Sequence, residues 1–170
     1  MEYTTLNNGI KMPMAGIGTF LLPPDQAESA VLEALKDGYR LIDTANAYVN
    51  EKAVGRAMKK SGLAREDIFL ETKIWPSFYM QEDAVEKTLE RLDTDYIDLL
   101  LIHQPSGNYV AGYRLMEKAY KEGKVKATPF KIVDVFLAEG KKMQVTFSEV
   151  GFKNTIYVPN FKCIDLFARK

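Results

Sequence analysis

The sequence predicts an α/β protein whose strands form a parallel sheet. Short apolar strands begin near residues 16, 40, 68 and 97, so the pattern recurs every 24 to 29 residues. Each strand is followed by a segment with apolar residues at helical spacing, and three of these segments end at a glycine. Alternation of strand and helix at this period is typical of βα units, in which each helix leads to a neighbouring parallel strand.

Composition limits the other possibilities. The chain has 170 residues, enough for one sizeable core, and we predict a single domain over residues 1–170. Lys and Arg together number 23, as do Asp and Glu, so bulk charge supports neither a nucleic-acid nor a membrane partner. The single cysteine, Cys163, excludes an internal disulfide and fits a reducing compartment. With no apolar leader at the amino terminus, we expect a cytoplasmic protein.

The chain opens with a predicted β-hairpin followed by the first strand of the sheet. Residues 4–13 read TTLNNGIKMP, in which two short extended pieces flank an Asn-Gly pair, a signal for a type I′ turn. Residues 14–20 form the first strand. Its glycines, Gly16 and Gly18, indicate either a close approach to a neighbour or ligand, or simple turns.

The next three strands and four helices follow from local patterns. Asp25 is a plausible helix N-cap after two prolines, and Gly38 ends that helix. Apolar spacing then places the remaining elements, which are a strand at 40–42, a helix at 51–61, a strand at 68–73, a helix at 81–92, a strand at 97–102 and a helix at 110–122.

Beyond Gly123 the βα pattern continues, but the amino-acid sequence that carries it is altered. Residues 124–130 stand where a fifth strand belongs, although Pro129 is poor in a central strand. Residues 132–139 have apolar side chains at helical spacing, residues 144–150 form a sixth strand, and residues 163–170 look like the start of a sixth helix. We therefore count about six βα units.

The β-rich segment at residues 154–159 predicts an additional hairpin. It is close enough to residues 144–150 to fold back on them as an antiparallel strand, giving a hairpin over 144–158. Such a hairpin would cover one edge of the sheet and leave the other open. Because open edges promote association, we expect a homodimer.

Polar side chains stand at or just after three successive strand ends. Asp43 ends one strand and Tyr48 follows five residues later; Lys73 ends the next strand, and the only histidine, His103, follows the one after that. The carboxyl ends of parallel strands form the active face of such proteins, so all four side chains would enter one pocket. Taken singly, each residue also has a structural interpretation. Asp43 could be a helix cap, Tyr48 a surface tyrosine, Lys73 a solvated lysine and His103 a structural histidine.

Four motifs surround these residues: GIGTF at 16–20, DTANAY at 43–48, ETKIW at 71–75 and DLLLIHQP at 98–105. Their order and spacing resemble the aldo-keto reductases. Residues 1–127 are family-like, whereas residues 128–170 are altered. The resemblance implies a parallel (β/α) barrel of the TIM type, here incomplete, with the N-terminal hairpin closing its bottom.

The resemblance also implies roles for the site residues in transferring hydride from NADPH to a small aldehyde or ketone. Tyr48 would donate the proton, Lys73 would support it, Asp43 would hold Lys73, and His103 would orient the carbonyl. Phe20 and Trp75 would form apolar walls for the substrate. The implied cofactor contacts are Gly18, Thr19 and Asp43, and no metal is implied.

The altered segment departs from the family where the cofactor would be held. The family's carboxamide-binding positions fall at Thr128-Pro129 and at Phe147, and its phosphate-gripping loops belong to two further units. Each lost charged hydrogen bond removes roughly 1.5–3 kcal/mol, so we expect weakened NADPH binding. The alternative interpretation is therefore a truncated or engineered barrel fragment that folds without catalytic activity.

Overall fold

The computed structural model describes residues 1–6 and 8–128, together with two short strands later in the chain. The backbone divides into two compact units, Met1–Ile132 and Val133–Lys170. The single domain proposed for residues 1–170 stays a prediction. Within the described residues, none of the helices combines the length and apolar character needed to cross a membrane.

The predicted N-terminal hairpin is confirmed. Strand β1 (Tyr3–Thr5) pairs antiparallel with β2 (Lys11–Pro13). Gly9 takes a left-handed conformation in the loop, with φ of +86°, which glycine adopts at no steric cost. Leu6 and Met12 then pack on one face of the main sheet, so the hairpin covers the lower part of that face.

Four parallel strands form the main sheet, as the βα pattern predicts. They are β3 (Gly16–Gly18), β4 (Leu41–Asp43), β5 (Phe69–Ile74) and β6 (Leu99–Ile102), adjacent in chain order. The register aligns Gly18 with Asp43 and Asp43 with Glu71. A parallel bridge between Ile97 and Val125 extends the pairing into the predicted fifth strand.

The four predicted helices are present with small shifts at their ends. They are α1 (Pro24–Lys36), α2 (Glu51–Lys60), α3 (Ala84–Leu92) and α4 (Tyr109–Lys121). One N-cap prediction was wrong: Pro23 precedes α1, and Asp25 lies inside its first turn. A carboxylate there still favours the helix, because it complements the positive end of the helix dipole.

The two faces of the sheet have different cores. Residues Ile42, Leu70 and Leu100 are fully buried against the helices. Their strand neighbours Phe69 and Leu99 pack on the other face. Since successive side chains of a strand point to opposite faces, Asp43 and Lys73 stand on the face away from the helices.

Helix α2 packs closely against the end of helix α3 at Gly55. A Cβ atom at Gly55 would lie 2.4 Å from the Leu92 carbonyl oxygen, which is backbone and cannot rotate away. We expect Gly55→Ala to destabilise the protein by about 1–3 kcal/mol, measured by urea denaturation. Lys52→Ala, at an exposed position of the same helix, is the matched control. Helix propensity alone would stabilise an alanine at position 55, so a raised midpoint would contradict the contact.

In the second unit, β7 (Phe136–Ala138) pairs in parallel with β8 (Thr155–Tyr157). The strand predicted within 154–159 is therefore confirmed. The helical spacing of residues 132–139 was misleading, because Phe136–Ala138 is a strand; short apolar runs do not distinguish the two by periodicity alone. Residues 144–150 and 163–170 lie outside the described residues, so the antiparallel hairpin over 144–158 and the sixth helix stay predictions.

Candidate active site

The loop after β4 carries Tyr48 back over the ends of the strands. Asp43 ends the strand, and the short 3-10 turn Asn46–Tyr48 follows. The Tyr48 N–H donates to the Ala45 carbonyl at 3.0 Å, which closes this turn. As a result, the Tyr48 ring centre lies 5.3 Å from the ammonium nitrogen of Lys73 on the neighbouring strand.

Lys73 is held between two acceptors of the β4 strand end. Its ammonium group donates to Asp43 Oδ1 and, at 3.0 Å, to the Thr44 carbonyl oxygen. The Lys73 side chain is only 16% exposed, whereas that of Asp43 is 35% exposed. The cation is therefore fixed near Tyr48, and the carboxylate keeps a surface open to the site.

His103 completes the cluster from the end of β6. The backbone N–H of His103 donates to the Ile74 carbonyl at 3.0 Å. The imidazole meets the Tyr48 ring edge-on at a centroid distance of 5.6 Å. Burial, and secondly the Lys73 charge, lower the pKa of His103, while Asp43 acts in the opposite direction. The imidazole is thus neutral at pH 7, with one ring nitrogen able to donate and the other to accept.

Two aromatic rings flank the cluster where walls are predicted. The Phe20 ring lies 5.1 Å from that of Tyr48 and is 63% exposed. The Trp75 ring stands edge-on to His103 at 4.8 Å, and its backbone N–H donates to Asn46 Oδ1. An aromatic ring on each side of the cluster, one exposed and one partly buried, is suited to an apolar substrate body.

The two other cofactor candidates occupy different positions. Gly18 is exposed beside Asp43, where a Cβ would come only within 3.8 Å of the carboxylate. Thr19 is fully buried, and its hydroxyl lies 3.2 Å from the Asp43 carbonyl oxygen. Thr19 therefore supports the end of β4 from a buried position. Its contact with a cofactor stays a prediction. Thr128 is buried with no partner for its hydroxyl among the described residues, which do not include Pro129 or Phe147.

Sequence reasoning missed Glu71, which lies on β5 two residues before Lys73 and so on the same face. Burial raises its pKa to about 7, with Asp43 adding to the effect and Lys73 opposing it. The two-residue spacing between Glu71 and Lys73 could have predicted this, because residues two apart in a strand lie on the same face.

Glu51 and Tyr79 were also missed, and both support the site from behind. Glu51 is 1% exposed and accepts hydrogen bonds from Arg91 at 2.7 Å and Thr72 at 2.8 Å. The Tyr79 hydroxyl donates to the Gln104 carbonyl at 2.7 Å, next to His103. These contacts join segments 21 to 40 residues apart, which local patterns do not show.

The remaining features of the described residues give no second candidate site. In the part of the chain with described side chains, no three His, Cys, Asp or Glu residues group as metal ligands would. A cavity of about 670 Å³ lies near the amino ends of β5 and β6, away from the cluster. Its two basic side chains, Lys59 and Arg65, are paired with Asp93 and Asp98.

Comparison with known proteins agrees with this geometry. The model of the aldo/keto reductase family matches residues 14–135, a segment that contains Asp43, Tyr48, Lys73 and His103. The chain belongs to the aldo/keto reductase family. Its fold is accordingly an α/β barrel of the TIM type, of which the described residues form four βα units and the N-terminal hairpin.

Curated aldo/keto reductases resemble the chain over most of its length. Glyoxal reductase of Bacillus subtilis is 46% identical over 127 residues, which is 72% of this chain and 46% of the relative. Glycerol 2-dehydrogenase (NADP(+)) of Saccharomyces cerevisiae is 34% identical, over 86% of this chain and 58% of the relative. The chain thus spans about half the length of the curated relatives it matches.

Solved aldo/keto reductase structures show the same fold. An aldo/keto reductase from Brucella melitensis superposes with a TM-score of 0.78 and 37% identity, over 91% of this chain and 60% of the other. An aldose reductase from Schistosoma japonicum gives a TM-score of 0.76 at 30% identity, over 99% of this chain and 65% of the other.

Proposed function

We propose that this chain is a carbonyl reductase that transfers hydride from NADPH to a small aldehyde or ketone, with Tyr48 as the proton donor. The observation that carries the proposal is the cluster of four polar side chains, Asp43, Tyr48, Lys73 and His103, at the carboxyl ends of adjacent parallel strands. The single cysteine supports the cytoplasm as its compartment.

Each residue of the cluster has a step that its position supports. The neutral His103 donates a ring N–H to the carbonyl oxygen and orients the substrate. Tyr48 gives its hydroxyl proton to that oxygen as hydride reaches the carbonyl carbon, so that an alcohol forms. Lys73 stabilises the phenolate left on Tyr48, and Asp43 keeps Lys73 in place. The bound cofactor supplies the hydride.

The described residues fit the nicotinamide end of the cofactor. Asp43 retains an exposed carboxylate edge that can accept from a ribose hydroxyl, and the bare backbone of Gly18 beside it permits close approach. We propose NADPH rather than NADH as the cofactor because the yeast relative is named for NADP(+). Altered positions such as Thr128 support the expectation that binding is weaker than in the family.

A fluorescence titration with NADPH tests the cofactor proposal. We expect a saturable change in NADPH fluorescence at micromolar protein, and the same change with Tyr48→Phe, because that substitution leaves Gly18 and Asp43 intact. Asp43→Ala should weaken binding, whereas Asp37→Ala, an exposed residue at the end of α1, should not. A folded protein whose NADPH signal never saturates would contradict the proposal and favour the inactive-fragment interpretation.

We also propose that the chain forms a homodimer through an open strand edge. Among the described strands, β3 lies at the edge of the four-stranded sheet, and Met14 just before it is 45% exposed. Light scattering at high micromolar protein should give about twice the chain mass of 19.3 kDa. Met14→Lys should shift the mass toward the monomer, because charge opposes edge pairing, whereas Tyr39→Lys should not. A monomer at that concentration would refute this proposal.

A further inference from the structure

The side chain of Asn50 joins the loop after β3 to the loop after β4. It is 1% exposed although it lies between two surface loops. Its amide nitrogen donates to the carbonyl oxygens of Thr19 at 2.8 Å and Leu22 at 3.0 Å. Its amide oxygen accepts from the Thr44 hydroxyl at 3.0 Å and lies 3.4 Å from the Thr19 hydroxyl. Every polar atom of this side chain is therefore engaged in holding the two loops together.

The first loop is a tight turn in a strained conformation. The Leu22 N–H donates to the Thr19 carbonyl at 3.2 Å, so residues 19–22 form one turn with Phe20 and Leu21 at its centre. Leu21 has φ of +62°, a conformation that usually requires glycine at this position of a turn. Its side chain is 82% exposed, so burial does not offset the strain. The Asn50 amide bonds both ends of this turn.

The second loop contains a comparable strain. Val49 has φ of +60° and is also 82% exposed. A β-branched residue is a true outlier in this region, and such strain persists only where the surrounding structure imposes it. Val49 lies between Tyr48 and Asn50, so the bonds of Asn50 act directly on the backbone that presents Tyr48.

An ordinary helix-capping role does not account for Asn50. It stands at the N-cap position of α2, but its side chain makes no bond to the N–H groups of that helix. By contrast, Asn108 at the start of α4 does cap, because its side chain accepts from the Ala111 N–H at 3.2 Å. The side-chain amide of Asn50 instead makes its hydrogen bonds to the two loops.

We propose that Asn50 is a positioning residue that fixes the Phe20 ring against Tyr48 and so sets the width of the carbonyl site. Its two loops carry the rings that lie 5.1 Å apart. Its effect on turnover rests on the proposed reductase function. Its effect on the loops does not, and can be measured whether or not the protein is active.

Hydrogen–deuterium exchange of the Leu22 and Tyr48 amides tests the loop geometry. We expect Asn50→Ala to accelerate exchange at both by about tenfold or more, since several buried hydrogen bonds are lost. Asn50→Asp, which turns a donor into an acceptor facing two carbonyl oxygens, should do the same. Val54→Ala is the matched control, because Val54 belongs to the buried core cluster under α2, which includes no residue of either loop. Equal acceleration in Val54→Ala would overturn the proposal.

A second substitution separates positioning from general weakening. Leu21→Gly makes the strained turn intrinsically favourable. Combined with Asn50→Ala, it should restore part of the protection at the Leu22 amide and none at Tyr48, which lies on the other loop. No recovery at Leu22, or equal recovery at both amides, would contradict the assignment.

Turnover provides the third readout. Asn50→Ala should lower kcat by about tenfold to a hundredfold, as a displacement of roughly 1 Å between reacting groups does, whereas Val54→Ala should retain it. If the wild-type protein reduces no carbonyl compound, the proposed function fails, and the exchange data still decide the role of Asn50. An unchanged kcat in an active protein would overturn the claim that Asn50 sets the site.

Discussion

Replacing Tyr48 by phenylalanine should lower kcat for carbonyl reduction by about 10²–10⁴-fold, the usual contribution of a general acid. The substitution removes the hydroxyl and keeps the ring, which contacts Phe20 and His103 at 5.1 and 5.6 Å between centroids. The Lys73–Asp43 pair does not depend on the hydroxyl and stays in place. Consumption of NADPH with several aromatic aldehydes measures the effect.

Tyr39→Phe is the matched control for this experiment. Tyr39 is 41% exposed just after α1, and the structure places it outside the cluster. Its substitution should leave kcat unchanged, and both variants should unfold at the wild-type urea midpoint within experimental error. Full turnover by Tyr48→Phe would show that another group donates the proton, and the assignment of the cluster would then be wrong.

Glu71→Gln should change how stability depends on pH. Burial first, and Asp43 second, raise the pKa of Glu71 from 4.5 to about 7 in the folded protein, while Lys73 opposes them. Between these values the folded state binds more protons at Glu71 than the unfolded state does. The free energy of unfolding therefore falls as pH rises through this window, by up to about 3 kcal/mol. Glutamine does not titrate, so the variant loses this decline.

Urea denaturation of both proteins from pH 4 to pH 8 measures the difference. The variant should match the wild type near pH 4 and be more stable at pH 8. His103, whose lowered pKa costs stability as pH falls below 6.5, affects both proteins alike and cancels in the comparison. Glu66→Gln, at an exposed position, should show no such divergence. Parallel curves for the wild type and Glu71→Gln would refute the titration of Glu71 in this window.

The sequence by itself determined the βα units of the main sheet and the position of the four candidate site residues on them. Strands and helices follow from the spacing of apolar residues, and that spacing is a property of short stretches of neighbouring residues. Parallel strands bring their carboxyl ends to one edge. Residues at those ends, such as Lys73 and His103, can therefore be placed together without knowledge of any contact.

Only the tertiary structure decided what holds those residues in place. Asn50 bonds Thr19 and Leu22, which lie 31 and 28 positions away, and no local pattern distinguishes it from a helix cap. The strain at Leu21 and the raised pKa of Glu71 likewise depend on neighbours from other strands and loops. Capping, backbone strain and desolvation are properties of the packed environment, so they become visible only when distant segments are brought together.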